Sequence, residues 1–205
     1  MSLGEYTFSF PIWTEFGNGK SGRTGDVIDA KGWDSALIVT DQGIKAAGIL
    51  DGVESSLEAA GIEYEVYDEV EPNPTTAMVH DALDALNAGG FDVVVAVGGG
   101  SVIDTAKCAT LLKTNSGDLA DYEVNTPEDV AAANIENHTH PLITIPTTAG
   151  TGSEVDYWAV ITAPDREFKM AIGQGPPSPD GPYLGAEISL VDPELTASLP
   201  PRQTA

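Results

Sequence analysis

The stretch that decides the fold is FDVVVAVGGGSVIDTAK, residues 91–107. Residues 91–97 form an apolar run without polar alternation, which is typical of a strand that parallel neighbours and helices bury on both faces. Three consecutive glycines at 98–100 then lead directly into a helical pattern. This unit of strand, glycine turn and helix predicts an open, doubly wound α/β fold with a mostly parallel sheet.

The sequence on either side continues the alternation of short apolar runs with helical patterns. Further strands are expected at residues 36–40, 62–67, 142–145, 157–162 and 188–191, and helices at 44–60 and 75–86. The polar segment 114–141 is expected to be a surface excursion with at most one short helix, at 127–133, and the segment 173–185, rich in Pro and Gly, to be a loop. We therefore expect a single α/β domain over residues 1–205.

The charge of the chain is its most unusual property. Asp and Glu number 32 against nine Lys and Arg in 205 residues, so the formal net charge is −23. Such a polyanion repels phosphate backbones and anionic lipids, which excludes nucleic acid and membrane surfaces as partners. The acids are spread along the whole chain, which favours the solvated surface of a halophilic protein over that of a merely acidic mesophilic one.

The cellular compartment is predicted from three further features. The single cysteine, Cys108, cannot close an intrachain disulfide and is expected to be a buried apolar residue. No apolar run reaches the roughly 18 to 20 residues of a membrane span, and no leader pattern opens the chain. These features together predict a cytoplasmic protein.

The glycine turn predicts a site for a pyrophosphate. Glycines let backbone N–H groups approach a ligand, and a helix N-terminus adds free donors and partial positive charge. The alternative is a ligand-free capping box, with Ser101 as N-cap and Asp104 three residues later. Three glycines exceed what a cap requires, and sheets of this type bind ligands beyond the carboxyl ends of their strands. The phosphate interpretation is therefore favoured.

A second glycine-rich loop, PTTAGTGSE at residues 146–154, also leaves the carboxyl end of a predicted strand. It offers hydroxyl groups on Thr147, Thr148, Thr151 and Ser153. Two such loops at one sheet edge predict a dinucleotide crevice. Asp41 follows another strand, where it is suited either to the ribose hydroxyls of an adenosine or to capping the next helix.

Two other patterns are weaker. The segment GNGKSG at 17–22 matches a dinucleotide fingerprint, but we expect neither a buried strand before it nor a helix after it, and Thr14 stands where a P-loop needs its first glycine. It is therefore predicted to be a turn. His138 and His140 could ligate zinc or iron, but no third ligand accompanies them, and exposed loop histidines are the favoured interpretation.

Several motifs together resemble the amino-terminal half of the iron-containing (group III) alcohol dehydrogenases. They are FGNG at 16–19, GGGS at 98–101 with Asp104 and Lys107, PTTAGTGSEV at 146–155, VDPEL at 191–195 and LPP at 199–201. The resemblance implies a Rossmann-like domain of the dehydroquinate synthase-like type. In it Gly98, Gly99, Gly100 and Ser101 would hold the pyrophosphate and Asp41 the ribose. The nicotinamide side or the adenosine contacts would be formed by Asn73, Asp104, Thr148, Thr151, Ser153, Tyr157 and Lys169.

The resemblance also implies an activity, which is hydride transfer between an alcohol and a nicotinamide cofactor. Asp41 favours NAD over NADP, and a divalent metal, iron or zinc, would polarise the alcohol oxygen. The family's metal-binding Asp-x-x-x-His helix is absent from these 205 residues, so we expect no metal ligands and no metal-dependent turnover by this chain alone. Expected partners are a second copy in a homodimer or a separate helical half. The alternative is a non-catalytic nucleotide-binding or assembly module.

Overall fold

The computed structural model describes residues 12–126, 135–173 and 181–197. Its strands are β1 (Trp13–Phe16), β2 (Ser35–Val39), β3 (Glu63–Tyr67), β4 (Val93–Gly98), β5 (Leu142–Pro146), β6 (Trp158–Ala163), β7 (Phe168–Gly173) and β8 (Ile188–Val191). Its α-helices are α1 (Thr24–Lys31), α2 (Gln42–Ala46), α3 (Asp51–Ala60), α4 (Thr76–Gly89) and α5 (Gly100–Thr114). Short 3₁₀ helices lie at Ser21–Arg23, Leu119–Tyr122, Pro164–Arg166 and Pro193–Thr196.

Six strands form one sheet in the order β1-β8-β5-β4-β2-β3, and every pair is parallel. The central strand β4 is buried along its whole length, as its continuous apolar sequence predicts. The carboxyl ends of β2, β4 and β5 consequently lie side by side at one edge of the sheet. The predicted α/β fold with a mostly parallel sheet is confirmed.

Helices cover both faces of this sheet. On one face Ile28 of α1 and Leu57 of α3 pack against the sheet residue Val95. On the other face Leu86 of α4 and Ile103 of α5 pack against their own set of strand residues. Because the helices after β1 and β2 cover one face and those after β3 and β4 cover the other, the fold is doubly wound.

Two parts of the amino-terminal region differ from the sequence prediction. The helix expected at 44–60 is divided into α2 and α3, because the chain turns at Gly48, whose φ of +70° interrupts the helix. The strand β1 and the helix α1 were not predicted at all. Trp13 and Phe16 are 68% and 73% exposed on an edge strand, so β1 lacks the buried apolar run that marks the other strands.

The predicted strand at 157–162 exists as β6, but it lies outside the parallel sheet. It pairs in antiparallel fashion with β7, which was not predicted, and the hairpin packs on α5. A third core forms there around buried Cys108, as expected for that residue, with Leu111 and Met170. Leu119 and Tyr122 join this core, so the polar segment 114–141 is more than a surface excursion. The helix expected at 127–133 and most of the loop expected at 173–185 lie outside the described residues.

Candidate cofactor-binding site

A cleft of about 1050 Å³ opens at the carboxyl edge of the parallel sheet. Its lining comes from the segments that follow β2, β3, β4 and β5. The lining residues are Asp41, Gln42, Gly43, Ile44, Tyr67, Asp68, Glu69, Val70, Glu71, Pro72, Thr75, Ala77, Met78, Asp81, Gly99, Gly100, Ser101, Val102, Thr147 and Thr148. The cleft therefore lies where open α/β sheets bind ligands.

The glycine turn connects β4 to α5 within this cleft. Strand β4 ends at Gly98, Gly99 is the N-cap, and no side chain of the described residues caps the helix there. The capping-box alternative is wrong, because Ser101 lies inside the helix and Asp104 Oδ2 accepts a hydrogen bond from the Val160 N–H at 2.9 Å. The helix end that lines the cleft thus keeps the donors and partial positive charge of an uncapped N-terminus.

None of the three glycines has a left-handed φ, so the turn does not need them for their backbone conformation. It needs them because they lack a Cβ and leave space for neighbouring atoms. A Cβ on Gly98 would lie 2.6 Å from Val102 Cγ2, so this glycine lets the helix pack against its strand. A Cβ on Gly99 would lie 3.1 Å from Thr148 Oγ1, and one on Gly100 would lie 3.2 Å from Ser153 Oγ. Gly99 and Gly100 therefore allow the second glycine-rich loop to approach the helix.

That second loop begins beside the glycine turn. The Thr147 N–H donates to the Gly98 carbonyl at 3.0 Å, and both Thr147 and Thr148 line the cleft. Thr151 and Ser153 lie near Gly100 but not in the cleft lining, and the Ser153 N–H donates to Thr151 Oγ1 at 3.3 Å. The structure therefore brings the two predicted loops together, although only the first part of the second loop faces the cleft.

Asp41 lies two residues after the end of β2 and lines the cleft. Its Oδ1 accepts a hydrogen bond from the Ile44 N–H at 2.9 Å, so it is the N-cap of α2. The capping alternative is therefore confirmed. The capping hydrogen bond uses one carboxylate oxygen of Asp41. The expected contact of Asp41 with a ribose stays a prediction.

The other predicted site residues lie beside the cleft and not in its lining. Lys169 Nζ on β7 donates to Asn73 Oδ1 at 2.7 Å, which links the hairpin to the turn before α4. Tyr157 packs edge-on against Tyr183 with their ring centroids 5.8 Å apart, and burial raises the pKa of Tyr157. Burial also raises the pKa of Asp104, against the opposing effects of its hydrogen bond from Val160 and the charge of Lys107.

An acidic wall was missed by the sequence reasoning. We give this name to Asp41, Asp68, Glu69, Glu71 and Asp81, and the described lining residues include no Lys, Arg or His. Burial and then the charges of Asp81 and Glu69 raise the pKa of Tyr67 to about 12. The sequence feature that could have predicted this wall is the acidic run at 68–71, which comes immediately after a predicted strand.

The GNGKSG segment is followed by the helix α1, contrary to expectation, whereas no buried strand precedes it, as expected. The strand before it, β1, is an exposed edge strand. Donors of the GNGKSG segment already bind a carboxylate from elsewhere in the chain. Asp192 Oδ2 accepts hydrogen bonds from the Ser21 N–H at 3.2 Å and from the Ser21 hydroxyl at 2.7 Å. The structure thus agrees with the interpretation of this segment as a turn.

His138 and His140 precede β5, so they lie at the sheet edge opposite the cleft. Burial and the charge of Lys113 lower the pKa of His140. Across residues 12–126, 135–173 and 181–197, no group of three or more His, Cys, Asp and Glu side chains could hold a metal ion. Within the same ranges, no helix has both the length and the apolarity that a membrane span needs.

Comparison with known proteins extends these observations. The family model of iron-containing alcohol dehydrogenases matches residues 11–193. Choline dehydrogenase from Bacillus subtilis (strain 168) is 43% identical over 200 residues, which cover 98% of this chain and 47% of that protein. The structure of NADH-dependent butanol dehydrogenase A from Thermotoga maritima matches with a TM-score of 0.83 at 30% identity, covering 98% of this chain and 47% of that one. A sulfoacetaldehyde reductase from Bifidobacterium kashiwanohense in complex with NAD⁺ matches with a TM-score of 0.81 at 27% identity, covering 98% and 50%.

The strand order and the glycine turn at the carboxyl edge define a Rossmann-like α/β protein. The match over residues 11–193 is more specific, and the chain belongs to the iron-containing alcohol dehydrogenase family. It spans about half the length of the relatives it matches.

Proposed function

We propose that this chain is the NAD-binding α/β domain of an alcohol dehydrogenase of the iron-containing type. The enzyme would transfer hydride between an alcohol and the nicotinamide ring. The uncapped N-terminus of α5, within a cleft at the carboxyl edge of the sheet, is the observation that carries the proposal.

The dinucleotide is proposed to lie along the cleft, with its diphosphate at the glycine turn. At Gly99 and Gly100 the backbone approaches without a Cβ, so the amides at the start of α5 can donate to a diphosphate. Asp41 uses Oδ1 for capping, which leaves Oδ2 for the ribose hydroxyls. A 2′-phosphate at that position would be repelled by the carboxylate, which favours NAD over NADP.

The nicotinamide end is proposed to lie beyond Thr147 and Thr148, towards the second loop and the hairpin. Thr151, Ser153 and Tyr157 follow in that loop, while the linked pair Asn73 and Lys169 stands at the hairpin. When bound, the nicotinamide ring accepts or releases the hydride. The role of these residues is to orient that ring and to exclude water from it.

The family's divalent metal, iron or zinc, has no suitable ligand cluster among the described residues. We therefore propose that this chain binds cofactor but has no metal-dependent turnover by itself. A second copy in a homodimer or a separate helical half is the proposed partner. The acidic composition supports a salt-adapted source for the enzyme, and the single cysteine supports a reducing, cytoplasmic compartment.

The phosphate contact is tested by calorimetric titration of NAD and NADP into the wild-type chain and two variants in molar KCl. Ser101→Asp adds a negative charge at the first turn of α5, which favours the helix but repels a diphosphate. We expect NAD to bind the wild type more tightly than NADP, and Ser101→Asp to weaken NAD binding by more than about tenfold with no loss of melting temperature.

Ser101→Asn is the matched control, because it has the same size as Asp without the charge. It should retain NAD binding within about threefold of the wild type. Unchanged NAD binding by Ser101→Asp, or no NAD binding by a folded wild type, would contradict the proposal.

The competing hypothesis is a nucleotide-binding module without redox chemistry, which would use the same cleft. The two differ when a separately expressed helical half is added with Fe²⁺ or Zn²⁺, NAD and a primary alcohol. Formation of NADH, followed by absorbance, supports the enzyme. Absence of NADH with NAD binding intact supports the module.

A further inference from the structure

Lys107 is fully buried, with no exposed side-chain surface, and it lies two turns into α5. Its ammonium group donates to three acceptors that lie between the end of the second loop and the first residue of β6. These acceptors are the carboxylate and the carbonyl oxygen of Asp156 and the Trp158 carbonyl, the last at 2.9 Å. Three acceptors satisfy the three N–H donors of a lysine, so the side chain is held in one orientation.

Asp104 makes a complementary contact one turn earlier on the same helix. It is 8% exposed, and its Oδ2 accepts a hydrogen bond from the Val160 N–H. The two buried side chains of α5 therefore bind donors and acceptors of one continuous segment, residues 156–160. A buried ammonium group without such partners would be strongly unfavourable, so the segment and the helix are bound to each other.

This attachment fixes the far end of the second loop. The near end is fixed at Thr147, whose N–H donates to the Gly98 carbonyl. Between these two ends, Thr148 and Ser153 approach Gly99 and Gly100 so closely that a Cβ on either glycine would touch them. The loop is thus held beside the glycine turn at both of its ends, and Lys107 provides the far attachment without lining the cleft.

We propose that Lys107 is a positioning residue that holds the loop 147–157 against the N-terminus of α5 and so shapes the nicotinamide end of the cleft. This inference rests on the proposed function. The adenosine end, formed by Asp41 and the segment after β3, makes no use of Lys107. Loss of Lys107 should therefore weaken binding of the whole dinucleotide more than binding of its adenosine diphosphate part.

The test uses Lys107→Met, which keeps the length of the side chain and removes the charge. We expect NAD affinity to fall by about tenfold while ADP affinity stays within about twofold. Hydrogen exchange of the free chain should accelerate at the amides of residues 147–157 and stay unchanged in β4. Lys113→Met is the matched control, because Lys113 lies on the same helix but donates to Asn87 on α4; it should change neither affinity.

Each part of the proposal has a result that overturns it. A uniform loss of NAD and ADP affinity, or no loss of either in a folded variant, contradicts the positioning role. If Lys107→Met does not fold, Asp156→Asn weakens the same attachment at a partly exposed site and must show the same difference between NAD and ADP, or the inference fails. If the wild-type chain binds neither NAD nor ADP, the proposed function fails, whereas the exchange of residues 147–157 still decides whether Lys107 holds the loop.

Discussion

Asp192 shows how one side chain can join distant parts of this chain. It follows β8, and its two carboxylate oxygens accept hydrogen bonds from Ser21, after β1, and from the Glu194 N–H at 3.1 Å. Burial by itself would raise the pKa of Asp192, but the hydrogen bonds from Ser21 and Glu194 outweigh it, and the pKa is lowered. These contacts give Asp192 a structural role.

Replacing Asp192 with Asn should therefore destabilise the chain in a pH-dependent manner. A carboxylate with a lowered pKa in the folded state contributes stability above the unfolded pKa of about 3.9. That contribution is lost as pH falls through the folded pKa. We expect Asp192→Asn to lower the free energy of unfolding by on the order of 2 kcal/mol at pH 7, and the difference from wild type to shrink below about pH 4.

Urea unfolding at several pH values measures this difference. Asp26→Asn is the control, since the Asp26 side chain is 71% exposed and, among the described residues, forms an ion pair with Arg23 alone. Equal destabilisation by Asp192→Asn at pH 7 and pH 3 would show that the charge of Asp192 is not what matters.

At the scale of elements, the crossing of α1 and α3 depends on one glycine. Gly25 lies on α1 and is buried, and its N–H donates to Ser56 Oγ on α3 at 2.9 Å. A Cβ at this position would lie 2.1 Å from the Ser56 carbonyl oxygen. The two helices cover one face of the sheet, so their close approach is part of the main core.

Gly25→Ala should push α1 away from α3, since the obstructing atom belongs to the backbone and cannot rotate aside. We expect a loss of about 2 to 3 kcal/mol in the free energy of unfolding, as for other overpacked sites. Gly22→Ala is the matched control, because a Cβ on Gly22 would meet nothing within 4 Å. Chemical denaturation measures both variants, and equal stability of the two would contradict this account of the crossing.

At the scale of the whole molecule, the negative charge affects both folding and ligand binding. The net charge of −23 is combined with a cleft in which the acidic wall faces the proposed diphosphate site and no described lining residue is cationic. Repulsion within the chain opposes folding, and repulsion between the chain and an anionic ligand opposes binding. Both effects weaken as salt shortens the Debye length from about 10 Å at 0.1 M to about 3 Å at 1 M.

We therefore expect KCl to strengthen both folding and NAD binding. Between about 0.1 M and 1 M KCl the melting temperature should rise and the dissociation constant for NAD should fall, with a larger effect for the more negative NADH. Scanning calorimetry and isothermal titration measure the two quantities, and sucrose of equal osmolarity controls for solute exclusion. Weaker NAD binding at higher salt would contradict the electrostatic account.

The architecture could be read from the sequence because it depends on local patterns. The apolar run of β4 predicted a strand buried on both faces, and the glycines after it predicted the turn that leads into α5. Hydrophobic burial and backbone freedom are properties of residue types, so they are visible in the sequence. An exposed edge strand such as β1 carries no such pattern, which is why it was missed.

What the tertiary structure alone decided is which residues meet across the chain. Lys107 and Asp156 are far apart in sequence, as are Asp192 and Ser21, and no local pattern links either pair. The acidic wall is local in part, since Asp68, Glu69 and Glu71 follow β3 together, but only the fold brings Asp41 and Asp81 to the same cleft. The sequence determined the buried strands of the sheet, most of the helices and the glycine turn through local propensities. The partners of buried charges were decided by the packing of the sheet and its helices, because only folding brings those groups within hydrogen-bonding distance.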